Sequence, residues 1–256
     1  MIISSGVTNK FYEAGERRAE RVQDLFATIA PRYDLINDLQ SGGLHRYWKR
    51  RLLTMANGKP GERALDLCCG TGDVALAFAR QGLEVTGLDF SEPMLKVAEE
   101  RSKAEVSKFK AGGTVKFLQG DAQHIPFPDE SFDVVTISYG LRNLADWELG
   151  LREMRRVTRP GGRILVLDFG KPDNALWRGI YFAYLRWCVP VLGRIFCGDS
   201  QTHAYILESL IHYAGQRGVA AKMKDLQLVH TKLVNLLGGV MSINYAEKPG
   251  ESRCQR

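Results

Sequence analysis

Between Arg63 and Phe169, short apolar runs alternate with amphipathic stretches, and this restricts the possible folds more than any other feature of the chain. "ALDLCC" reads as a strand, and "DVALAFARQG" as a helix stopped by Gly82. "EVTGLDF" is a second strand. It leads into "SEPMLKVAEERSKAEV", a helix with Ser91 at its N-cap and Pro93 in its first turn. "TVKFLQG", "FDVVTIS" and "RILVLDF" supply further strands, the last two separated by the helix "DWELGLREMRRVT". Strands alternating with helices predict a mostly parallel sheet covered on both faces. Beyond Phe169, residues 174–197 are apolar and aromatic, and residues 219–227 read as a helix. "LVHTKLVNLL" and "GVMSINYAE" then predict an antiparallel hairpin turning at Gly238-Gly239. Residues 9–57 read as helical, with breaks at Pro31 and at Ser41-Gly42-Gly43, and Val22, Leu25, Phe26 and Ile29 share one stripe.

A chain of 256 residues with 45% hydrophobic and 25% charged content is that of an ordinary soluble globular protein with a substantial core. The opening "MIISSGVTNKFYEAGERRAE" shows no signal-peptide pattern. The five cysteines include no C-x-x-C pair, so neither a disulfide framework nor a zinc site is expected, which fits a reducing cytoplasm. A net charge of +6 selects no single partner among nucleic acid, anionic substrates and membranes.

The first strand–helix junction, "LDLCCGTGDVALAFARQG", holds Gly70-Thr71-Gly72-Asp73-Val74-Ala75, which fits the G-x-G-x-x-G/A corner of dinucleotide sites. Three carboxylates shift that reading. Asp73 stands where a pyrophosphate would sit on the helix N-terminus and would instead suit a ligand carrying an amine. Asp89, at the end of the second strand, can accept both hydroxyls of a ribose. Asp121, after the third, can meet the amino group of an adenine. Any one of them alone could simply cap the following helix. Together with the glycine corner they mark the carboxyl edge of the sheet, where open α/β folds bind ligands. No G-x-x-x-x-G-K-[ST] follows any strand, which removes a P-loop.

"LDLCCGTGD", "LDFSEPML", "GDAQHIPFPDESFDVVTISYGLRN" and "REMRRVTRPGGRILVLDFGKP" resemble the class I S-adenosylmethionine-dependent methyltransferases. "YDLINDLQSGGLHRYWKR", "SYGLRN" and "GGVMSINYAEKP" narrow the resemblance to the menaquinone/ubiquinone-biosynthesis C-methyltransferases, over about residues 11–249. Asp168 and Gly170 stand where that family more often has glutamate and serine, and Ile36 where it has methionine. The resemblance implies a Rossmann-like α/β fold, with a mostly parallel seven-stranded sheet, an antiparallel C-terminal hairpin and helices on both faces. It implies S-adenosylmethionine as cofactor, with Thr71, Asp89, Asp121, Ala122 and Ser138 at cofactor positions. Asp66, Gly70, Gly72 and Asp73 of the corner join that set, and no metal is expected. Residues 1–58 are then an N-terminal helical cap, 59–170 the cofactor-binding core, and 171–256 substrate- or membrane-facing helices plus the hairpin, in one compact domain overall.

By the same resemblance the methyl acceptor is a ring carbon of a prenylated hydroquinone, demethylmenaquinol first and 2-methoxy-6-polyprenyl-1,4-benzoquinol second. Another small molecule or a lipid is the alternative substrate. Such a carbon becomes nucleophilic as the adjacent hydroxyl loses its proton, which asks for a proton acceptor and a group that tolerates developing negative charge. Arg142 and Asn143, after the fourth strand, are the candidates to stabilise a phenolate, orient water and fix quinol oxygens. Tyr33 is the candidate to close over the substrate. His45 has a side chain suited to base chemistry at neutral pH, but a structural role in "LHRYWKRR" reads equally well.

Residues 175–196 are long enough to span a bilayer, but Arg178, Arg186 and Arg194 are spread along them and Pro190 interrupts them. An interfacial or tail-binding element, an ordinary core helix being the plain alternative, is the expectation, with a cytoplasmic protein in peripheral contact with the inner face of the cytoplasmic membrane. A homodimer stays open. A nucleic-acid partner is not expected, because no aromatic–basic module is present. An NAD-dependent oxidoreductase shares the glycine corner but not Asp73 or the antiparallel ending.

Overall fold

The computed structural model describes Asp38, residues 41–191, Arg194 and residues 201–250. The stripe Val22–Ile29 and the candidate Tyr33 lie outside the described residues.

Helix α1 (Leu44–Ala56) starts after Gly43, whose φ of 77° gives the sharp entry predicted at the Gly-Gly break. It buries His45, Trp48, Leu52 and Ala56, a single face at helical spacing. The alternating core follows: β1 (Arg63–Leu67), α2 (Asp73–Arg80), β2 (Glu84–Asp89), α3 (Glu92–Glu105), β3 (Thr114–Gln119) and β4 (Phe132–Ser138). A short 3-10 turn (Leu141–Asn143) leads to α4 (Trp147–Val157) and β5 (Thr158–Phe169). The remainder is α5 (Ala175–Ala183) with a π-helical turn (Tyr184–Cys188), α6 (Gln201–His212), α7 (Gly215–Asp225), β6 (Val229–Leu236) and β7 (Met241–Glu247).

The seven strands form one sheet in the order β3-β2-β1-β4-β5-β7-β6. β1 to β5 pair in parallel, with Leu65 opposite Thr86 on one side and Val135 on the other. β7 runs antiparallel to both β5 and β6. The strands bury alternate residues in two cores, one on each face. Leu65, Val135, Ile137, Ile164 and Val166 pack with Leu151 and Met154 of α4 and Val219 and Met223 of α7. Ala64, Val134, Leu165, Leu167 and Ile243 pack with Trp48 and Leu52 of α1 and Val74 and Phe78 of α2.

This is the fold class expected, with two local differences. The expected hairpin is present, its second strand inside the sheet and its first at the edge. β5 starts at Thr158, before the expected Arg163, because Arg159-Pro160-Gly161-Gly162 continues as a bulged extension, with a register shift opposite Phe132–Val134 and φ of 76° at Gly161. α7 starts at Gly215, before the expected 219. There the buried Gln216 side chain clasps Lys171, accepting from its N–H at 2.7 Å and donating to its carbonyl at 2.9 Å.

Candidate active site

The sheet order reverses between β1 and β4, leaving a crevice at the carboxyl ends of the strands. A cleft of about 870 Å³, counting its open mouth, lies at this edge. Four strand ends line it: Cys68 and Gly70 after β1, Asp89 and Phe90 at the end of β2, Gly120 and Asp121 after β3, and Ser138, Tyr139 and Gly140 at the end of β4. Ala122, Asn143 and Met94 complete much of the wall.

Asp89 is locked in place. Its Oδ2 accepts the Gly70 N–H and its Oδ1 the Ser91 N–H, each at 2.8 Å. Burial pushes its carboxyl above the usual carboxylate range, and these backbone donors oppose the shift. Each oxygen keeps a lone pair for a further donor. Ser91 holds the N-cap position of α3, but its hydroxyl makes no capping bond, contrary to the usual role of serine there. Asp121 accepts the Gln123 N–H at 2.8 Å. Both aspartates thus cap the turn that follows them and line the cleft as well.

The backbone at the crevice is strained. Cys68 and Tyr139, each the first residue after its strand, adopt left-handed φ values of 49° and 61°. Gly140 lies against Cys68 so closely that a Cβ added there would be 2.4 Å from the Cys68 Cβ.

Other candidates lie behind the wall. The Asp66 carboxylate is buried between β1 and β4, accepts the Thr136 hydroxyl at 2.8 Å, and is pushed by burial to a pKa of about 7. Thr71 Oγ1 accepts from Arg101 at 2.9 Å. Asp73 accepts from Lys49 at 2.6 Å and from Arg101 at 2.5 Å. Burial raises its pKa, but the two cations outweigh burial and hold it at about 2. Asp73, expected to suit a ligand amine, thus meets a protein cation at each of its oxygens. With Thr71 and Gly72, it braces the glycine corner against α1 and α3.

Arg142 is buried and does not line the cleft. Its Nη1 donates to Asp168 Oδ1 at 2.7 Å and to the Tyr139 carbonyl at 2.6 Å, and its guanidinium stacks 4.5 Å from the Phe169 ring centre. Asn143, on the wall, donates its Nδ2 to the same Tyr139 carbonyl at 3.1 Å. His45 is buried beside Asp38, with its Nε2 2.8 Å from Oδ1, and is not part of the wall.

The sequence model of the ubiE/COQ5 methyltransferase family matches residues 14–248. The chain belongs to this family. It is an S-adenosylmethionine-dependent C-methyltransferase. It is 38% identical to the ubiquinone/menaquinone biosynthesis C-methyltransferase UbiE of Cellvibrio japonicus, over 91% of this chain and 94% of that one. It is 39% identical to the demethylmenaquinone methyltransferase of Desulfitobacterium hafniense, over 92% and 93%. Crystal structures share the fold at lower identity. The [4+2]-cyclase SpnF gives a TM-score of 0.60 at 17% identity, over 91% of this chain and 97% of its own. A SAM-dependent methyltransferase of Aquifex aeolicus gives 0.54 at 17%, over 78% and 88%.

The cleft of this ubiE/COQ5 methyltransferase suits an adenosyl ligand without phosphates. Among the described residues the buried hydroxyls of Ser91 and Ser138 have no hydrogen-bond partner, which leaves two orphaned polar groups at the wall. Sequence reasoning missed Cys68, Phe90, Met94, Gln123 and Tyr139 as wall residues. Phe90 was findable, because the residue after a strand-end carboxylate shares its rim, and this one is a 43% exposed aromatic. For Cys68 and Tyr139 no signal existed, since neither residue type favours a left-handed backbone.

Proposed function

We propose that the enzyme methylates a ring carbon of a prenylated hydroquinone, with demethylmenaquinol converted to menaquinol and the corresponding benzoquinol as second substrate. The observation that carries this reading is the near-full-length similarity to proteins named for those two quinone pathways. Within the cleft, Asp89 would accept the ribose hydroxyls. Asp121, Ala122 and Gln123 would meet the adenine edge between Leu88, Phe90 and Met94, and Ser138 would hold the amino-acid end. Gly70 and Gly72 let the backbone approach. The bound cofactor supplies an electrophilic methyl group on a sulfonium.

What the protein adds is alignment. Asn143 is assigned to a quinol oxygen, with its amide held by the Tyr139 carbonyl. Arg142 is a positioning residue in this reading: its charge is matched by Asp168, and it fixes the carbonyl on which Asn143 rests. Tyr33 is retained as the closing group, and water accepts the hydroxyl proton. The isoprenoid tail places the substrate in a bilayer, so peripheral contact with the inner face of the cytoplasmic membrane belongs to the same reading.

Quinone profiling by mass spectrometry of cells lacking the protein tests it. Accumulated demethylmenaquinone is the expected result, accumulated demethylated benzoquinone moves the assignment to the second substrate, and an unchanged profile rejects the quinol reading. Arg142→Lys should lower kcat while leaving S-adenosylhomocysteine affinity nearly unchanged.

A further inference from the structure

The helix running from α5 through its π-helical turn to Val191 has two unlike faces. Tyr181, Leu185 and Val189 are buried in the core beside α4. The opposite side carries Leu176, Ile180, Trp187 and Val191, exposed by 76%, 52%, 70% and 57%. Their spacing places them along one helical stripe. The β6–β7 turn extends it: Leu237 is half exposed, and its carbonyl accepts the Trp177 indole N–H at 3.0 Å. Exposed apolar side chains scattered singly need no explanation, but a continuous stripe marks a contact surface.

Charge says what kind of contact. From Asn174 to Gly198 there is no aspartate or glutamate, whereas Arg178, Arg186 and Arg194 punctuate the segment. Arg186 and Arg194 are exposed. The nearby Asp173 is ion-paired with Arg217 at 2.8 Å. Apolar residues with tryptophans, flanked by arginines and lacking carboxylates, fit the headgroup boundary of an anionic lipid surface. Among the described residues no helix is long and apolar enough to cross a membrane. The π turn just before Pro190 belongs to the same segment. Pro190 has no N–H for the helical ladder, and Val189 donates to the Tyr184 carbonyl in a widened turn.

We propose that this stripe seats the enzyme on an anionic phospholipid bilayer, with the helix lying in the interface plane. Leu176, Ile180, Trp187 and Val191 lie below the headgroups, and Arg186 and Arg194 face the phosphates. Its purpose, delivery of a prenylated substrate, rests on the quinol reading; the binding itself does not.

The test is flotation of the full-length protein with quinone-free vesicles of phosphatidylcholine alone or mixed with phosphatidylglycerol. The wild type should float with the mixed vesicles, with a blue shift of tryptophan emission, and much less with the neutral ones. Leu176→Glu combined with Trp187→Glu should weaken that binding at least about tenfold, while calorimetric S-adenosylhomocysteine binding stays unchanged and so reports an intact fold. Trp187→Ala alone should weaken it less. No flotation, equal flotation on neutral vesicles, or full flotation of the double variant would each overturn the proposal. So would a homodimer in sedimentation velocity that the double variant dissociates, because the stripe would then serve a second copy of the chain. Failure of the quinol assignment would leave all of these readouts in place.

Discussion

The Arg142–Asp168 pair offers a quantitative test, because its two halves are supported unequally. Both side chains are buried, exposed by 5% and 2%. Asp168 accepts from Arg142 Nη1 at 2.7 Å, from the main-chain N–H of residue 142 at 3.1 Å and from the Phe169 N–H at 2.8 Å. Asp168→Ala therefore removes a carboxylate partner from a buried guanidinium and leaves two main-chain donors without their acceptor, and a broken buried pair costs about 3–5 kcal/mol. Arg142→Met leaves the carboxylate with both main-chain donors, so its own cost is smaller. The difference is the penalty for two unsatisfied backbone N–H groups, at about 1–3 kcal/mol each. Asp168→Ala should therefore destabilise by about 2 kcal/mol or more beyond Arg142→Met. The double variant should cost clearly less than the sum of the two. Urea unfolding of the four proteins, followed by circular dichroism, measures all of these quantities. If Arg142→Met is the costlier single change, or if the two add, then the carboxylate does not depend on its backbone donors in the way described.

Other expectations concern the cleft and its supports. Asp66 holds its proton to about pH 7 when folded, well above the ordinary carboxylate value of about 3.9, so the folded state binds more protons between those limits. Its contribution to stability is then intact below about pH 4 and is lost as pH rises through about 7, with a slope of at most about 1.4 kcal/mol per unit. Asp66→Asn should remove that component, and identical stability-versus-pH slopes in variant and wild type would refute it. Asp89→Asn should weaken S-adenosylhomocysteine binding about tenfold to a hundredfold, from lost charge-assisted hydrogen bonds to the ribose; calorimetry showing unchanged affinity removes Asp89 from the cofactor set. Gly140→Ala, with its methyl 2.4 Å from the Cys68 Cβ, should cost about 1–3 kcal/mol by forcing β1 and β4 apart. An unshifted thermal midpoint would show that the crevice is looser than described.

What was legible in the chain followed local rules. Each strand of the core announced itself by a short apolar run, and the carboxylates at the ends of β2 and β3 could be located because topology sends ligands to that edge. The hairpin was legible from Gly238-Gly239, but not which of its strands joins β5, since both alternate and either could face the interior. The ion pairs of Asp73 were not legible for a different reason. Its partners, Lys49 and Arg101, lie 24 and 28 residues away, and no local pattern records a contact that only the folded chain makes. Arg142 was legible as a residue following the fourth strand, but its pairing with Asp168, which stands 26 residues later, was not.

The inner position of β7 also bears on biosynthesis. As the polypeptide leaves the ribosome, β1 to β5 can zip together while residues 241–247 are still unmade, so one flank of β5 waits bare with its amide row unmatched. Only the emergence of residues 241–247 closes that flank. A message cut short after α7 would therefore yield a nearly finished cofactor half bearing a sticky border, a natural target for chaperones and proteases.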